Sequence, residues 1–143
     1  MTIDSETELK AKNLIIEGLS EHFEYYDESK NPDLNNIVEN YVEKGHTFLV
    51  ALYNNEVIGT GALIKEKKHT GRIVRMSVDK RYRGRGVAKK ILRKLEQIGR
   101  NKGYKEIVLE TNNDWHKAIG LYKRFGYIEC NMDEESIHFI KNL

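Results

Sequence analysis

The side chains best placed to do chemistry crowd into "SVDKRYRGRGVAKKIL", residues 77–92. Arg81, Arg83, Arg85, Lys89 and Lys90 surround Gly84 and Gly86, and residues 80–94 carry eight basic side chains in a chain whose net charge is only +2. Charge this local suits one bound anion; a long polyanion calls for a broadly basic domain, so nucleic acid is not the expected partner. The glycines admit main-chain conformations that other residues resist, and they leave room for a ligand to approach the backbone. A helix that starts just after them leaves its first N–H groups without partners and turns the positive end of its dipole outward, which is a seat for phosphate. Arginine and lysine add charge-assisted hydrogen bonds. The stretch reads as a cradle for a pyrophosphate.

Two familiar phosphate loops fail on residues. The Walker pattern needs a lysine–hydroxyl pair that this stretch lacks. "GRGVAK" keeps two glycines of the dinucleotide fingerprint but has Lys89 in the third place, where a large side chain obstructs helix–strand packing. His22, His46, His69, His116 and His138 lack ligand spacing, so no metal is expected. Cys130 is the only cysteine. It forms no internal disulfide, reads as a structural thiol and fits a cytoplasmic setting.

The elements that must position the cradle follow from periodicity. Residues 5–24 repeat Leu9, Leu14, Ile15, Leu19 and Phe23 at helical spacing. Pro32 opens a second helix, "DLNNIVENYVEKG", with Leu34, Ile37, Val38 and Tyr41 on one face and Gly45 as its stop. "HTFLVALYN", "EVIGTGALIKE" and "GRIVRMSVD" are strands, the first two joined at "NN" as a hairpin. The third alternates Ile73, Arg75 and Ser77 against Val74, Met76 and Val78. A helix over 84–102, a strand at 105–111, a helix over 114–125 and the strands "GYIECN" and "ESIHFIKN" complete the order. The strand–helix–strand unit at 72–111 implies one parallel pair; the other pairs are antiparallel. The fold class is a mixed α/β (α+β) single domain over residues 1–143, with about four helices flanking one sheet.

At 143 residues, 39% hydrophobic and 32% charged, the chain suits one soluble globular core. No apolar run approaches a membrane span, and the acidic start "MTIDSETELK" is no signal peptide. No membrane partner is expected.

The cradle, read as Arg81-Tyr82-Arg83-Gly84-Arg85-Gly86 between a strand and a helix, resembles the [QR]-x-x-G-x-[GA] signature of the GNAT superfamily of acyl-CoA-dependent N-acyltransferases. "AIGLYKRFGY", Ala118 to Tyr127, is similar to that family's second motif, A-[IV]-x-L-Y-x-x-x-G-[FY]. The two stand in the family's order, and the likeness covers about residues 46–131.

The resemblance implies an N-acetyltransferase that moves acetyl from acetyl-CoA to a primary amine, with a small-molecule acceptor favoured over a protein amine. The backbone of Met76, Ser77 and Val78 would then pair with the pantetheine arm. Arg83, Gly84, Arg85, Gly86, Val87, Ala88 and Lys89 would hold the pyrophosphate. The Met76 N–H would stabilise the oxyanion, and Tyr122 would protonate the departing thiolate. Glu110, with Glu21 as second candidate, would take the amine's proton. A family asparagine or glutamine that bonds the pantetheine arm is replaced by Trp115, with Asn112 or Asn113 as substitutes; Trp115 itself reads as a packing residue. "MTID" leaves almost no length for the family's first strand. "EHFEYYDE", residues 21–28, lines the acceptor pocket or forms a polar turn, and the closing strands offer a surface for a homodimer. Tyr122 also fits a core tyrosine, and Glu110 also fits a solvent-facing strand position. A rival reading keeps the fold as an acyl-CoA-binding or protein-docking module without turnover.

Overall fold

The computed structural model describes residues 1–21 and 27–143. Six strands form one sheet in the order β1-β2-β3-β4-β6-β5. They are β1 (Thr47–Tyr53), β2 (Glu56–Lys67), β3 (Thr70–Val78), β4 (Glu106–Asn112), β5 (Ile128–Met132) and β6 (Ser136–Asn142). Among the described residues only β3 and β4 run parallel, joined across helix α2 (Val87–Asn101), as the strand–helix–strand pattern implies. Asn54 and Asn55 have positive φ (50° and 63°), the geometry that turns β1 into β2 through a tight hairpin.

Two apolar layers sandwich the sheet. On one face, α2 and α3 (His116–Arg124) cover Ile73, Ile107, Leu109, Ile137 and Phe139. On the other, α1 (Glu8–Ser20) and a helical segment over residues 32–42 cover Phe48, Val50 and Ala62. Helix α1 starts later than periodicity suggests, because Asp4 and Thr7 form a closed turn before it: Thr7 N–H donates to Asp4 Oδ1 (2.9 Å) and Asp4 N–H to Thr7 Oγ1 (3.1 Å). Its buried residues are Ala11, Leu14 and Ile15. Leu9, placed on the apolar stripe from sequence, is exposed, since it precedes Leu14 by five residues of α1, which at 3.6 residues per turn puts it on the far side of the helix. Phe23 and most of "EHFEYYDE" lie outside the described residues.

The second helix is present with its expected apolar face, but its winding changes midway. Residues Pro32–Asn36 are 3-10 and Val38–Val42 are π-helical, while Leu34, Ile37 and Tyr41 stay buried. Gly45 ends it at φ = 84°, and the His46 N–H closes back on Tyr41 O at 2.9 Å. The edge strand that "MTID" seemed too short to supply exists as a stub: Thr2 bridges Leu49, and Ile3 N–H donates to Phe48 O at 2.9 Å.

Helix α2 sits against bare backbone. A Cβ at Gly59 would lie 2.8 Å from Val87 Cγ1, and one at Gly61 would lie 2.5 Å from Ile91 Cγ2 and 2.6 Å from Met76 Sδ. These two β2 glycines let the helix approach closely, which places its N-terminus beside the end of β3. Ile91, Leu92 and Leu95 are buried beneath it, each contributing about 1.5–3 kcal/mol by leaving water. Glu96 is buried on the same stripe and is fully engaged: Tyr127 Oη donates to it at 2.9 Å and Lys141 Nζ at 3.0 Å. Lys141 also donates to Phe125 O at 2.8 Å. This knot ties α2 to β6 and to the end of the second sequence motif.

Two substitutions test this packing by urea denaturation. Gly61→Val should lower stability by about 1–3 kcal/mol through overpacking, with the midpoint reduced and the m-value kept. Lys141→Met should cost about 3–5 kcal/mol, because it strands the buried Glu96 carboxylate, and adding Glu96→Gln should restore part of that loss.

Candidate active site

The cradle is built at the junction of β3 and α2. Gly84 and Gly86 both adopt positive φ (78° and 82°), where a side chain is strained. A Cβ at either would meet nothing within 4 Å, so the bend is open. Gly86 caps α2 without any side-chain hydrogen bond, and the first helical bond is Lys90 N–H to Gly86 O at 3.1 Å. The N–H groups of Val87, Ala88 and Lys89 therefore have no acceptor within the helix. No acidic residue stands in the first turn, while Lys89 and Lys90 do, against the sign the helix dipole prefers. An anion is what this end of the helix needs.

The arginines do not all ring the bend. Arg81 is taken by Asp79 (Nη2–Oδ2 2.9 Å), and Arg83 forms a bidentate pair with Glu21 (2.7 and 2.9 Å) while its Nε donates to Val78 O at 3.0 Å. Arg85 lies over the Tyr82 ring, 5.6 Å from its centre, with no carboxylate partner among the described residues. Arg85, Lys89 and Lys90 are thus the cations most available at the bend.

A cleft opens beside it. β3 and β4 pair only at Thr70–Arg72 with Glu106–Val108, although β3 continues to Val78 and β4 to Asn112. Past Arg72 the facing edges carry no ladder. Asp79 N–H donates to Ile58 O of β2 (2.8 Å), so strand alternation turns the backbone groups of Val78 toward this open edge.

The strict alternation expected for β3 does not hold. Thr60 pairs with Ser77 and Ala62 with Val74, so Arg75 and Met76 together stand opposite Gly61. This bulge puts Ile73 and Met76 on the α2 face, whereas Arg75 reaches Asp33 and Ser77 approaches Gly18 of α1. Arg75 sits at φ = 56°, a conformation costing a non-glycine residue about 1–2 kcal/mol. Three contacts hold it there. Thr60 Oγ1, fully buried, donates to Arg75 O at 2.8 Å. Arg75 Nε and Nη2 donate to Asp33 at 3.0 and 2.7 Å, and Tyr41 Oη donates to Asp33 at 2.6 Å. Burial pushes the Asp33 pKa up, but the hydrogen bonds from Arg75 and Tyr41 outweigh it and hold the carboxyl below its ordinary value. Nothing in the sequence pointed to this cluster except an arginine between Val74 and Met76 of the strand.

Tyr122 and Glu110 lie on opposite faces of the sheet. Tyr122 is buried on the α2–α3 side, its ring 6.0 Å from Tyr127 and 6.1 Å from Phe139. Its hydroxyl makes no hydrogen bond among the described residues, and burial pushes its pKa up to about 12. Glu110 is exposed two residues past the last β3–β4 pair, with His138 Nε2 at 3.4 Å from its Oε2. Asn113 is committed elsewhere: its side-chain amide donates to Glu134 O at 2.8 Å, which leaves Asn112 as the substitute named from sequence. Trp115 caps α3, half-buried. Glu21, the second carboxylate, lines a cavity of about 400 Å³ with Leu14, Glu17, Val78 and Arg83.

The fold has counterparts among known proteins. The chain is 34% identical over 137 residues to human N-acetyltransferase 8B, covering 83% of this chain and 60% of that protein. An acetyltransferase of the GNAT family from Staphylococcus aureus Mu50 superposes with a TM-score of 0.89 at 24% identity, covering 100% of this chain and 97% of that one. The PaiA N-acetyltransferase from Thermoplasma acidophilum, solved in complex with coenzyme A, superposes with a TM-score of 0.84 at 18% identity, covering 100% and 97%. The profile of the acetyltransferase (GNAT) family matches residues 13–127, spanning both the glycine-hinged cradle and the Tyr122 helix, and the chain belongs to that family.

Proposed function

We propose that the protein is an N-acetyltransferase that moves acetyl from acetyl-CoA to the primary amine of a small molecule by direct attack in a ternary complex. One observation carries this reading: an uncapped helix N-terminus, glycine-hinged and cationic, next to a strand edge that has parted from its neighbour. The first part suits a diphosphate and the second an extended amide-bearing arm that adds to β3 as a strand would. Acetyl-CoA has both.

The residues divide the work as follows. The N–H groups of Val87, Ala88 and Lys89, with Arg85 and Lys89 side chains, bind the diphosphate. Met76 and Val78 bind the arm. The amine nitrogen forms a bond to the thioester carbon, and the Met76 N–H stabilises the oxyanion that results. Glu110, through water, takes one proton from the bound ammonium and so frees the lone pair that attacks; the second proton, lost as nitrogen becomes an amide, goes to solvent. The C–S bond then breaks, and the thiolate takes the Tyr122 proton; solvent restores the phenol and discharges Glu110. A phenol whose pKa is raised to about 12 keeps its proton at neutral pH, as an acid in this role must. The acceptor is a cationic amine of modest size. Glu17, Glu21 and Asp79 line the cavity of about 400 Å³ beside the bend together with Lys80 and Arg83. Glu21 is paired with Arg83 and Asp79 with Arg81, so Glu17 is the carboxylate that an ammonium group would meet there.

Calorimetry with acetyl-CoA tests the cofactor. Wild type should bind, and Gly84→Asp should not, because its carboxylate meets the diphosphate; equal binding by both would overturn the cradle. Turnover is read as thiol release with a panel of small amines and amine-bearing peptides. Release with peptides alone would replace the small-molecule acceptor. Tyr122→Phe should lower kcat about 100-fold with coenzyme affinity kept.

The same phenol has a signature in stability. It titrates near 10 in an unfolded chain and at about 12 in the folded one, so between these values the folded state holds the extra proton. Stability should fall as pH climbs above about 10, and Tyr122→Phe should flatten that fall when unfolding is followed at several pH values.

A further inference from the structure

Among the described residues, three that are not glycine have positive φ: Asn54, Asn55 and Arg75. The asparagines make a hairpin turn, where such residues are at ease. Arg75 has no such excuse. It sits within β3, next to Met76, and the bulge it makes is the reason Met76 lies where it does. Strain of this kind persists only where surrounding contacts over-determine it. Here they are the Thr60 hydroxyl on the Arg75 carbonyl and the two-pronged grip of Asp33 on the guanidinium, with Tyr41 donating to Asp33 Oδ2, the oxygen that also accepts from Arg75 Nε.

We infer that Asp33 is a positioning residue for the acyl-transfer step: by holding Arg75 it fixes the β3 bulge and so aims the Met76 N–H at the thioester carbonyl, with Tyr41 as its support. Asp33 touches neither cofactor nor reacting atoms in this account. It belongs to the 3-10 turn Pro32–Asn36, on the same side of the sheet as α1. The helical segment over the α1 face thereby sets the alignment of a donor in the cleft. A bidentate carboxylate–guanidinium pair suits this task because it fixes direction as well as distance. Three elements meet in the lock: the 32–42 segment through Asp33 and Tyr41, β2 through Thr60, and β3 through Arg75.

The inference rests on the oxyanion role proposed for Met76, and the test separates the two. Acetyl-CoA carrying 13C at the acetyl carbonyl is titrated into wild type, Asp33→Asn, Asp33→Glu and Tyr41→Phe, and its carbonyl resonance, coenzyme affinity and kcat are measured. In wild type the bound carbonyl should move downfield, as a hydrogen-bonded carbonyl does. In Asp33→Asn it should return toward the free position while coenzyme affinity holds, and kcat should fall about 10–100-fold, short of the loss of a whole oxyanion donor. Asp33→Glu should recover part of both readouts. A wild-type shift that Asp33→Asn leaves unchanged, with kcat unchanged, overturns the positioning role alone. No wild-type shift on binding overturns the Met76 role and this inference with it. Should Asp33→Asn fail to fold, Tyr41→Phe decides: it keeps the packing, and a displaced carbonyl with a smaller loss of kcat supports the lock, while wild-type values on both readouts overturn it.

Discussion

The site depends on how closely α2 lies against β2. Without a side chain at Gly59 and Gly61, the helix comes down onto bare strand backbone, and Val87, Ile91 and Met76 fill the space that Cβ atoms would occupy. That contact fixes the helix N-terminus in height and direction at the end of β3. β3 is also the strand that parts from β4 beyond Arg72, so the helix N-terminus and the cleft share one frame. The Glu96–Tyr127–Lys141 knot anchors the other end of the same contact, tying α2 to β6.

Electrostatics then gives the seat its sign. Most helices soften their first turn with an acidic or hydroxyl cap; α2 has a glycine cap and lysines. The arrangement is unfavourable on its own and favourable around an anion. Arg83, which the sequence places at the bend, is held instead between Glu21 and the Val78 carbonyl. It links the cavity-lining end of α1 to the loop that carries the phosphate seat. The cavity proposed for the acceptor and the bend proposed for the diphosphate are therefore joined by one ion pair, as well as by the backbone of β3.

What could be read from sequence and what could not divide along physical lines. Element order, the parallel pair and the glycine bend before α2 were legible because each rests on local signals: periodicity, an Asn-Asn turn, glycines before a helix. The Arg75 bulge was not. Alternation predicts a regular strand through 71–79, and only the pairing with β2 shows two residues opposite Gly61. The 3-10 to π change in residues 32–42 escaped for the same reason, since the apolar face looks alike in either winding. Leu9 was misplaced because a spacing of five residues to Leu14 does not keep a side chain on the same helix face. Glu96 was passed over, although a glutamate on the stripe of Leu92 and Leu95 is itself a sign of a buried partner. The edge stub of residues 1–3 is too short for any pattern to register.

The central claim is that free main-chain amides at the start of α2 hold the diphosphate of a coenzyme whose arm lies along β3. A crystal structure of the protein with bound coenzyme A tests it most directly. The account predicts diphosphate oxygens within about 3 Å of the N–H groups of residues 86–89, and the pantetheine amides paired with the backbone of Met76 and Val78. A coenzyme seated elsewhere, with those amides facing only solvent, would contradict it.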